Sequence, residues 1–281
     1  MTLISLDSWL QEREGRSQNS TTYYQFQPVS DPEDDRLAKL AADKLWMSDP
    51  EKFNDPLDLR LAIKDLTYRG PFDDEGLLKQ AISLLLEGNS RAKDHKLYDE
   101  LLIANLRSWA GNEVCTQDLL SDVERRFKSF GVACFTNHWN NPLMWSHYAS
   151  QHSGFTVEYS VRSMSLACEN PSFSQHHVQY VSQLPELCLS EILFSPHQVL
   201  QRMLATKSAD WAYEREWRLV HCEQKNSVVP MPSHMEISAL IAGLKMEPVK
   251  LDQLKATAQK LEIPAFQVRT KYGYQLELEA L

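Results

Sequence analysis

Hydrophobic periodicity changes twice along this 281-residue chain, and that change limits its fold more than any other feature. Glu75 to Leu86 places Leu77, Leu78, Ala81, Leu84 and Leu85 on one face of a helix. Leu97 to Trp109 does the same with Leu97, Leu101, Leu102 and Leu106, and Asp118 to Phe130 with Leu119, Leu120, Val123 and Phe127. Each follows the i, i+3, i+4, i+7 rule of a half-buried helix. On either side the period shortens to that of strands: Tyr23 to Gln27 and Leu45 to Met47 before, then Gly131 to Phe135, Phe155 to Tyr159, Val178 to Val181, Trp211 to His221 and Ile237 to Leu240 after. Further helices are expected after Asp31-Pro32, where Asp suits the N-cap and Pro the first turn, over Glu186 to Lys207 with a break near Ser195-Pro196, and over Leu251 to Leu261. A hairpin around Tyr272-Gly273-Tyr274 closes the order. Strands and helices alternate without regular βαβ spacing. This predicts an α+β fold with a mixed, largely antiparallel sheet and a helical insert in the N-terminal half, about residues 73–130. An N-terminal segment, 1–20, precedes a single domain over 21–281.

Composition narrows the function. A hydrophobic content of 43% is ample for a large core. The formal net charge of −9 disfavours general binding to nucleic acid or to anionic membranes, both of which need excess Lys and Arg. Five widely spaced cysteines with no C-x-x-C pair read as free thiols, not as a disulfide framework or zinc ribbon. The N-terminal residues carry Asp7, Glu12 and Glu14 and no long apolar run, and no stretch nears the roughly 20 apolar residues of a membrane span. Cytoplasmic residence is expected.

Two motifs concentrate the chemistry. In Asn141-Pro142-Leu143-Met144-Trp145-Ser146-His147-Tyr148, Asn141 and Pro142 should start a short helix. Met144, Trp145, Tyr148 and Ala149 would form its buried face, leaving Ser146 and His147 beside it. A histidine so placed is either a base or ligand donor, or a structural residue tied to a carbonyl. The second motif is Trp211-Ala212-Tyr213-Glu214-Arg215-Glu216-Trp217-Arg218. Read as a strand, it puts Glu214, Glu216 and Arg218 on one face and Trp211, Tyr213, Arg215 and Trp217 on the other. The two carboxylates would then stand about 7 Å apart. Lys207 lies just upstream. Glu158, opposite in parity to Phe155, Val157 and Tyr159, would join them if its strand pairs with theirs. A third candidate, Phe53-Asn54-Asp55-Pro56-Leu57-Asp58, reads as a rigid turn, with Asn54 and Asp55 at a site rim as the functional alternative.

The chain lacks the glycine loops of nucleotide-binding folds, the H-E-x-x-H helix and the G-x-S-x-G elbow. His176 and His177 are adjacent, and neighbours in a strand point apart, so no shared metal ion is expected there, and no metal ligand is assigned.

The ordered motifs resemble domain-of-unknown-function family 2971, a bacterial family. The resemblance rests on Leu45-Trp46-Met47-Ser48-Asp49-Pro50, Phe53 to Asp58, Cys134-Phe135, Met144 to Ala149 with His152-Ser153-Gly154-Phe155, Lys207 with Trp211, Tyr213-Glu214, Glu216 and Arg218, and Ile241-Ala242-Gly243. It departs at the opening strand, usually Tyr-Lys-Tyr and here Tyr23-Tyr24-Gln25-Phe26, which removes a basic role at Gln25.

Three functions are open. The order of Ser146, His147 and Tyr148 before Glu214-Arg215-Glu216 is similar to ADP-ribosyltransferase folds, which implies NAD as substrate, Glu216 on the ribose hydroxyl and Glu214 orienting the acceptor. No early basic residue matches. A non-catalytic ligand-binding or sensor module, in defence or stress, would use Trp145, Tyr148, Trp211, Tyr213 and Trp217 as pocket walls around a small molecule. A metal-dependent nuclease or hydrolase would hold a divalent ion on His147, Glu158, Glu214 and Glu216, with Lys207 on a phosphate.

Overall fold

The computed structural model describes residues 20–29, 36–40, 42–60, 62–65, 130–162, 172–188 and 196–281. The expected helices at 75–86, 97–109 and 118–130, and the Asp31 cap, lie outside the described residues, as does nearly all of the N-terminal segment. The chain divides into two compact units. One comprises Met1–Lys52, Phe130–Val178 and Asp210–Leu281; the other comprises Phe53–Ser129 and Gln179–Ala209.

The first unit is built on an eight-stranded sheet. Its strands are β1 (Ser20–Gln27), β4 (Gly131–Thr136), β5 (Phe155–Arg162), β6 (Phe173–His177), β10 (Glu216–His221), β12 (Met235–Ala242), β13 (Ala265–Thr270) and β14 (Leu276–Ala280), in the order β14-β13-β12-β5-β1-β4-β10-β6. All neighbours are antiparallel except β12 and β13, which run parallel. A parallel pair needs a crossover, and α4 (Pro248–Leu261) supplies it. The fold is thus α+β with a mixed, mostly antiparallel sheet. A ribbon of β2 (Lys44–Met47) and β11 (Ser227–Pro230) flanks it.

Alternation of side chains sorts the sheet into two faces. One face carries Tyr23, Phe135, Val157, Tyr159, Trp217, Leu219 and Leu240, and α4 covers it with Leu254 and Ala258 while α1 (Arg36–Leu40) adds Leu37 and Leu40. Tyr23 stacks on Trp217 at 4.6 Å between ring centroids, worth about 1 kcal/mol beyond the area buried. Burial raises the pKa of the Tyr23 and Tyr159 phenols, so both stay neutral. The other face carries Tyr24, Phe26, Ala239, Ile241, Phe266 and Val268, and α2 (Pro142–Tyr148) lies on it through Met144 and Trp145.

The second unit pairs β3 (Ala62–Asp65) with β8 (Glu186–Cys188) and β7 (Gln179–Val181) with β9 (Thr206–Ser208), both parallel, and contains α3 (Pro196–Leu204). Of the helical stretch expected over Glu186 to Lys207, the structure describes α3, and 189–195 lie outside the described residues. The two ends of that stretch are strands, where β-ladder partners outweigh local helical propensity.

Trp211 to His221 is not one strand. Ala209–Glu214 is a 3-10 helix, Arg215 takes a left-handed φ of 45°, and β10 begins only at Glu216. The apolar/polar alternation that predicted a strand comes from two elements joined by that reversal. Glu216 and Arg218 do share a face, with Trp217 behind them, whereas Glu214, Trp211 and Tyr213 belong to the 3-10 helix.

Candidate functional site

The site grows from one row of residues across the sheet. Glu158, Tyr24, Thr136 and Glu216 are successive cross-strand partners on β5, β1, β4 and β10. Directly opposed residues point to the same face, so these four polar side chains share the face under α2. Three strand spacings separate Glu158 from Glu216, about 14 Å. β5 does not pair with β10, and Glu158 forms its own polar centre. Tyr24 Oη donates to its Oε2 at 2.8 Å and Ser238 Oγ to its Oε1 at 2.8 Å. Ser238 is the extra residue of a bulge between Ile237 and Ala239, which brings its hydroxyl to this carboxylate.

At the other end of the row, Arg218 grips Glu216 with two parallel bonds, Nε to Oε1 at 2.8 Å and a terminal nitrogen to Oε2 at 3.1 Å. The guanidinium side chain is 0% exposed and the carboxylate 4%. This fork-to-fork geometry fixes both side chains, and each charge is balanced by the other.

Helix α2 forms as the sequence predicts. Asn141 Oδ1 accepts from Leu143 N at 2.9 Å and Pro142 opens the first turn. The same Asn141 donates through Nδ2 to Tyr213 O at 3.2 Å, which ties the helix start to the 3-10 helix. Trp145 is fully buried; its Nε1 donates to Trp139 O at 2.6 Å and its ring meets Phe26 edge to face. Tyr148 is half-buried and its hydroxyl donates to Glu214 Oε1. Ser146 and His147 are exposed.

His147 collects the aromatic residues of both motifs. Its ring centroid lies 6.2 Å from Tyr148, 6.1 Å from Trp211 and 6.2 Å from Tyr213, and Trp211 lies 6.0 Å from Tyr213. Trp211, Tyr213 and Tyr148 are only partly buried, so the cluster is in part open to solvent, and Tyr148 ties it to the buried Glu214. The structure thus joins His147, Tyr148, Tyr213 and Glu214 in one place, with Glu216 and Arg218 at the start of the adjoining strand.

Thr136, in the stretch that leads to the first motif, has a neighbour in His138, which carries no local signal of a role in the sequence. Thr136 Oγ1 lies 3.0 Å from His138 Nδ1. Burial, and then the Arg215 charge, lower the His138 pKa against a smaller upward pull from the Tyr213 backbone, so the imidazole is neutral at pH 7. Tyr24 and Ser238 also escaped notice. Strand parity would have paired Tyr24 with the Glu158 face; nothing in the sequence marks the bulge. Gln25, the departure from the family pattern, points away to the opposite face, where Tyr159 Oη donates to its Oε1 at 3.4 Å.

Ser146 faces a different partner, His152 Nε2 at 3.2 Å. Ser150, Gln151 and His152 all have left-handed φ, at 46°, 54° and 75°. Such residues cost roughly 1–2 kcal/mol each. Contacts to either side hold them: Ser150 Oγ both accepts from Val29 N and donates to Val29 O, His152 N donates to Trp145 O, and Lys245 N donates to His152 O. Gly154 and Gly243 complete the clamp. A Cβ on Gly154 would stand 2.3 Å from Gln27 O, and one on Gly243 2.2 Å from His152 O. The His152-Ser153-Gly154 and Ile241-Ala242-Gly243 motifs are therefore one packing device.

Lys207, Asn54 and Asp55 belong to the second unit. There Asp55 Oδ1 accepts from Leu57 N at 2.8 Å and Asp58 Oδ1 from Leu59 N at 2.8 Å, the rigid turn expected. The buried Lys207 ammonium stands 3.4 Å from Asp58 Oδ2.

With Trp145 to Arg218 now placed, the comparison with known families is direct. Residues 144–219 match the model of a protein family of unknown function, DUF2971. This is the family that the sequence motifs resemble. No curated protein and no solved structure matches the chain. The DUF2971 segment runs from α2 to the middle of β10. It includes His147, Tyr148, the Ser150–Gly154 turn, Lys207 and the 3-10 helix, but not Tyr24, Thr136 or Ser238.

Among the described residues, no group of three or more His, Cys, Asp or Glu side chains is set to hold a metal ion, so His147, Glu158, Glu214 and Glu216 do not form one. Nor is any described helix long and apolar enough to cross a membrane.

Proposed function

We propose that the first unit is a small-molecule binding module. Its ligand carries a planar, π-rich ring of the nucleotide class, and NAD is the first candidate. The observation that carries this reading is the part-exposed cluster of His147, Tyr148, Trp211 and Tyr213 over Glu214. Ring stacking on aromatic side chains contributes about 1–3 kcal/mol per base, and a ring bearing positive charge, such as oxidised nicotinamide, gains further from the aromatic faces. A binding role is preferred to catalysis because both carboxylates at this end of the row are already engaged, Glu216 by Arg218 and Glu214 by Tyr148.

Calorimetry with NAD, AMP and nicotinamide tests the proposal. Wild-type protein should bind at least one of them, and Trp211→Ala should weaken that binding at least about fivefold, the lower end of one stacking contact. Binding of none of the three would overturn it.

One observation favours a second reading, ADP-ribosyltransferase-like use of NAD. Glu216 is held rigid by Arg218 next to the cluster, and a fixed carboxylate can stabilise positive charge developing on a ribose ring. Release of nicotinamide from NAD that stops in Glu216→Gln while NAD still binds would support it. Binding without release leaves the module.

A further inference from the structure

The turn after α2 contains a histidine whose surroundings suit only one of its charge states. The His152 ring lies nearly parallel to the buried Trp145 indole, 6.4 Å between centroids at 14°. Its Nε2 meets Ser146 Oγ, while its Nδ1 is buried with no hydrogen-bond partner. A neutral imidazole can leave Nδ1 as a bare acceptor. An imidazolium carries N–H on both nitrogens, which would leave a charged donor buried and unmet. The charged group that acts on the ring is Lys245, on the segment following β12, and it repels a second positive charge. Helix α2 offers the ring Trp145 and Ser146, neither of which carries charge. Burial first, and Lys245 second, hold the His152 pKa below 6.5.

This ring sits on a strained support. His152 is the third left-handed residue in succession, and its backbone is bonded on one side to Trp145 O and on the other to Lys245 N. Those two backbone bonds keep the turn closed.

We propose that His152 is a proton-sensitive latch, which when neutral locks the turn after α2 onto Gly243 and Lys245 and when protonated releases that turn together with the end of α2 that bears Ser146, His147 and Tyr148. Acidification would then switch off the aromatic cluster without a ligand and without global unfolding, as a local opening of one low-stability segment. The latch itself is independent of the ligand; only its effect on binding rests on the proposed function.

Nuclear magnetic resonance of the full chain provides the test, with the His152 ring and the amides of His152, Gly154 and Lys245 followed from about pH 8 to about pH 5. As the ring protonates, the three amides should exchange at least about tenfold faster than their intrinsic pH dependence requires, while amides of β5 and β12 stay protected. His152→Asn, which tolerates left-handed φ, should abolish the pH-dependent excess. Lys245→Gln, at an exposed position, should move the midpoint to higher pH. Amides that stay protected through ring titration, a ring that titrates at or above 6.5, or a midpoint unmoved by Lys245→Gln would each overturn the latch. NAD affinity in parallel separates the two ideas. Acid opening with no nucleotide bound at any pH upholds the latch and sinks the proposed function, whereas pH-independent binding with no opening does the reverse.

Discussion

Arg218 meets both oxygens of Glu216 from the next residue but one on the same strand, and neither side chain reaches solvent. A pair of this kind is held by mutual neutralisation in a medium that solvates neither charge. Removing one partner takes both of these bonds from a buried charge. Arg218→Met or Glu216→Leu alone should each lower the unfolding free energy by about 3–5 kcal/mol, whereas the double variant should recover most of that loss. Denaturant unfolding of the four proteins decides it; full additivity would show that the two groups do not depend on each other.

Glu158 makes the opposite prediction, because hydroxyls hold it. Tyr24→Phe and Ser238→Ala each take one donor from a buried carboxylate and should each cost about 1–3 kcal/mol. Both act on one acceptor, so the double variant should depart from the sum. Urea midpoints at pH 7 give the measurement.

Gly243→Ala should be worse than its size suggests. The added carbon would overlap His152 O, a backbone atom already fixed by Lys245 N. A loss of roughly 3 kcal/mol is expected, at the upper end for overpacking. Thermal unfolding reads it, and a Tm within a degree or so of wild type would mean that the turn can move aside.

Stability should fall on acidification. His138, His152 and His221 all have pKa values lowered in the folded state, chiefly by burial. A lowered histidine pKa means that the unfolded chain binds protons first, so its stabilising contribution is complete above pH 6.5 and is lost as pH falls from there through the folded values. Tm should therefore drop between about pH 7 and about pH 5, and drop less in the triple Asn variant. An equal drop in both would assign the effect to other groups.

In the second unit, Lys207→Met removes a buried cation 3.4 Å from the buried Asp58 carboxylate and should lower stability by about 3 kcal/mol, with partial recovery in Lys207→Met/Asp58→Asn. Proteolysis rates of the two variants provide a check confined to this unit.

The sequence made some of this legible and hid the rest for identifiable reasons. Local rules worked where local forces decide. Asn141 and Pro142 announced α2, and the parity of Phe155 to Tyr159 put Glu158 on the face away from the core of Tyr159 and Val157. They failed where the third dimension decides. The alternation through Trp211 to Trp217 looked like one strand because nothing in it marks Arg215 as a left-handed residue. Ser150, Gln151 and His152 contain no glycine, so their conformation is imposed by Val29, Trp145 and Lys245 and cannot be read locally. The bulge at Ser238 depends on the register of β5, and the separation of Glu158 from Glu216 depends on the order of strands. Periodicity reports neither.

The sheet order also limits how this protein can be taken apart. The DUF2971 segment contributes β5, β6 and most of β10 to the large sheet, yet β1 and β4 lie between β5 and β10, and both come from residues before position 144. An isolated 144–219 peptide would therefore carry β5 with both edges bare and the β10-β6 pair without β4 on its inner edge. Such a fragment should clump when expressed alone. Supplying residues 1–143 and 220–281 as separate chains restores β1 and β4 between the separated strands, so any attempt to dissect the matched stretch has to begin with reassembly.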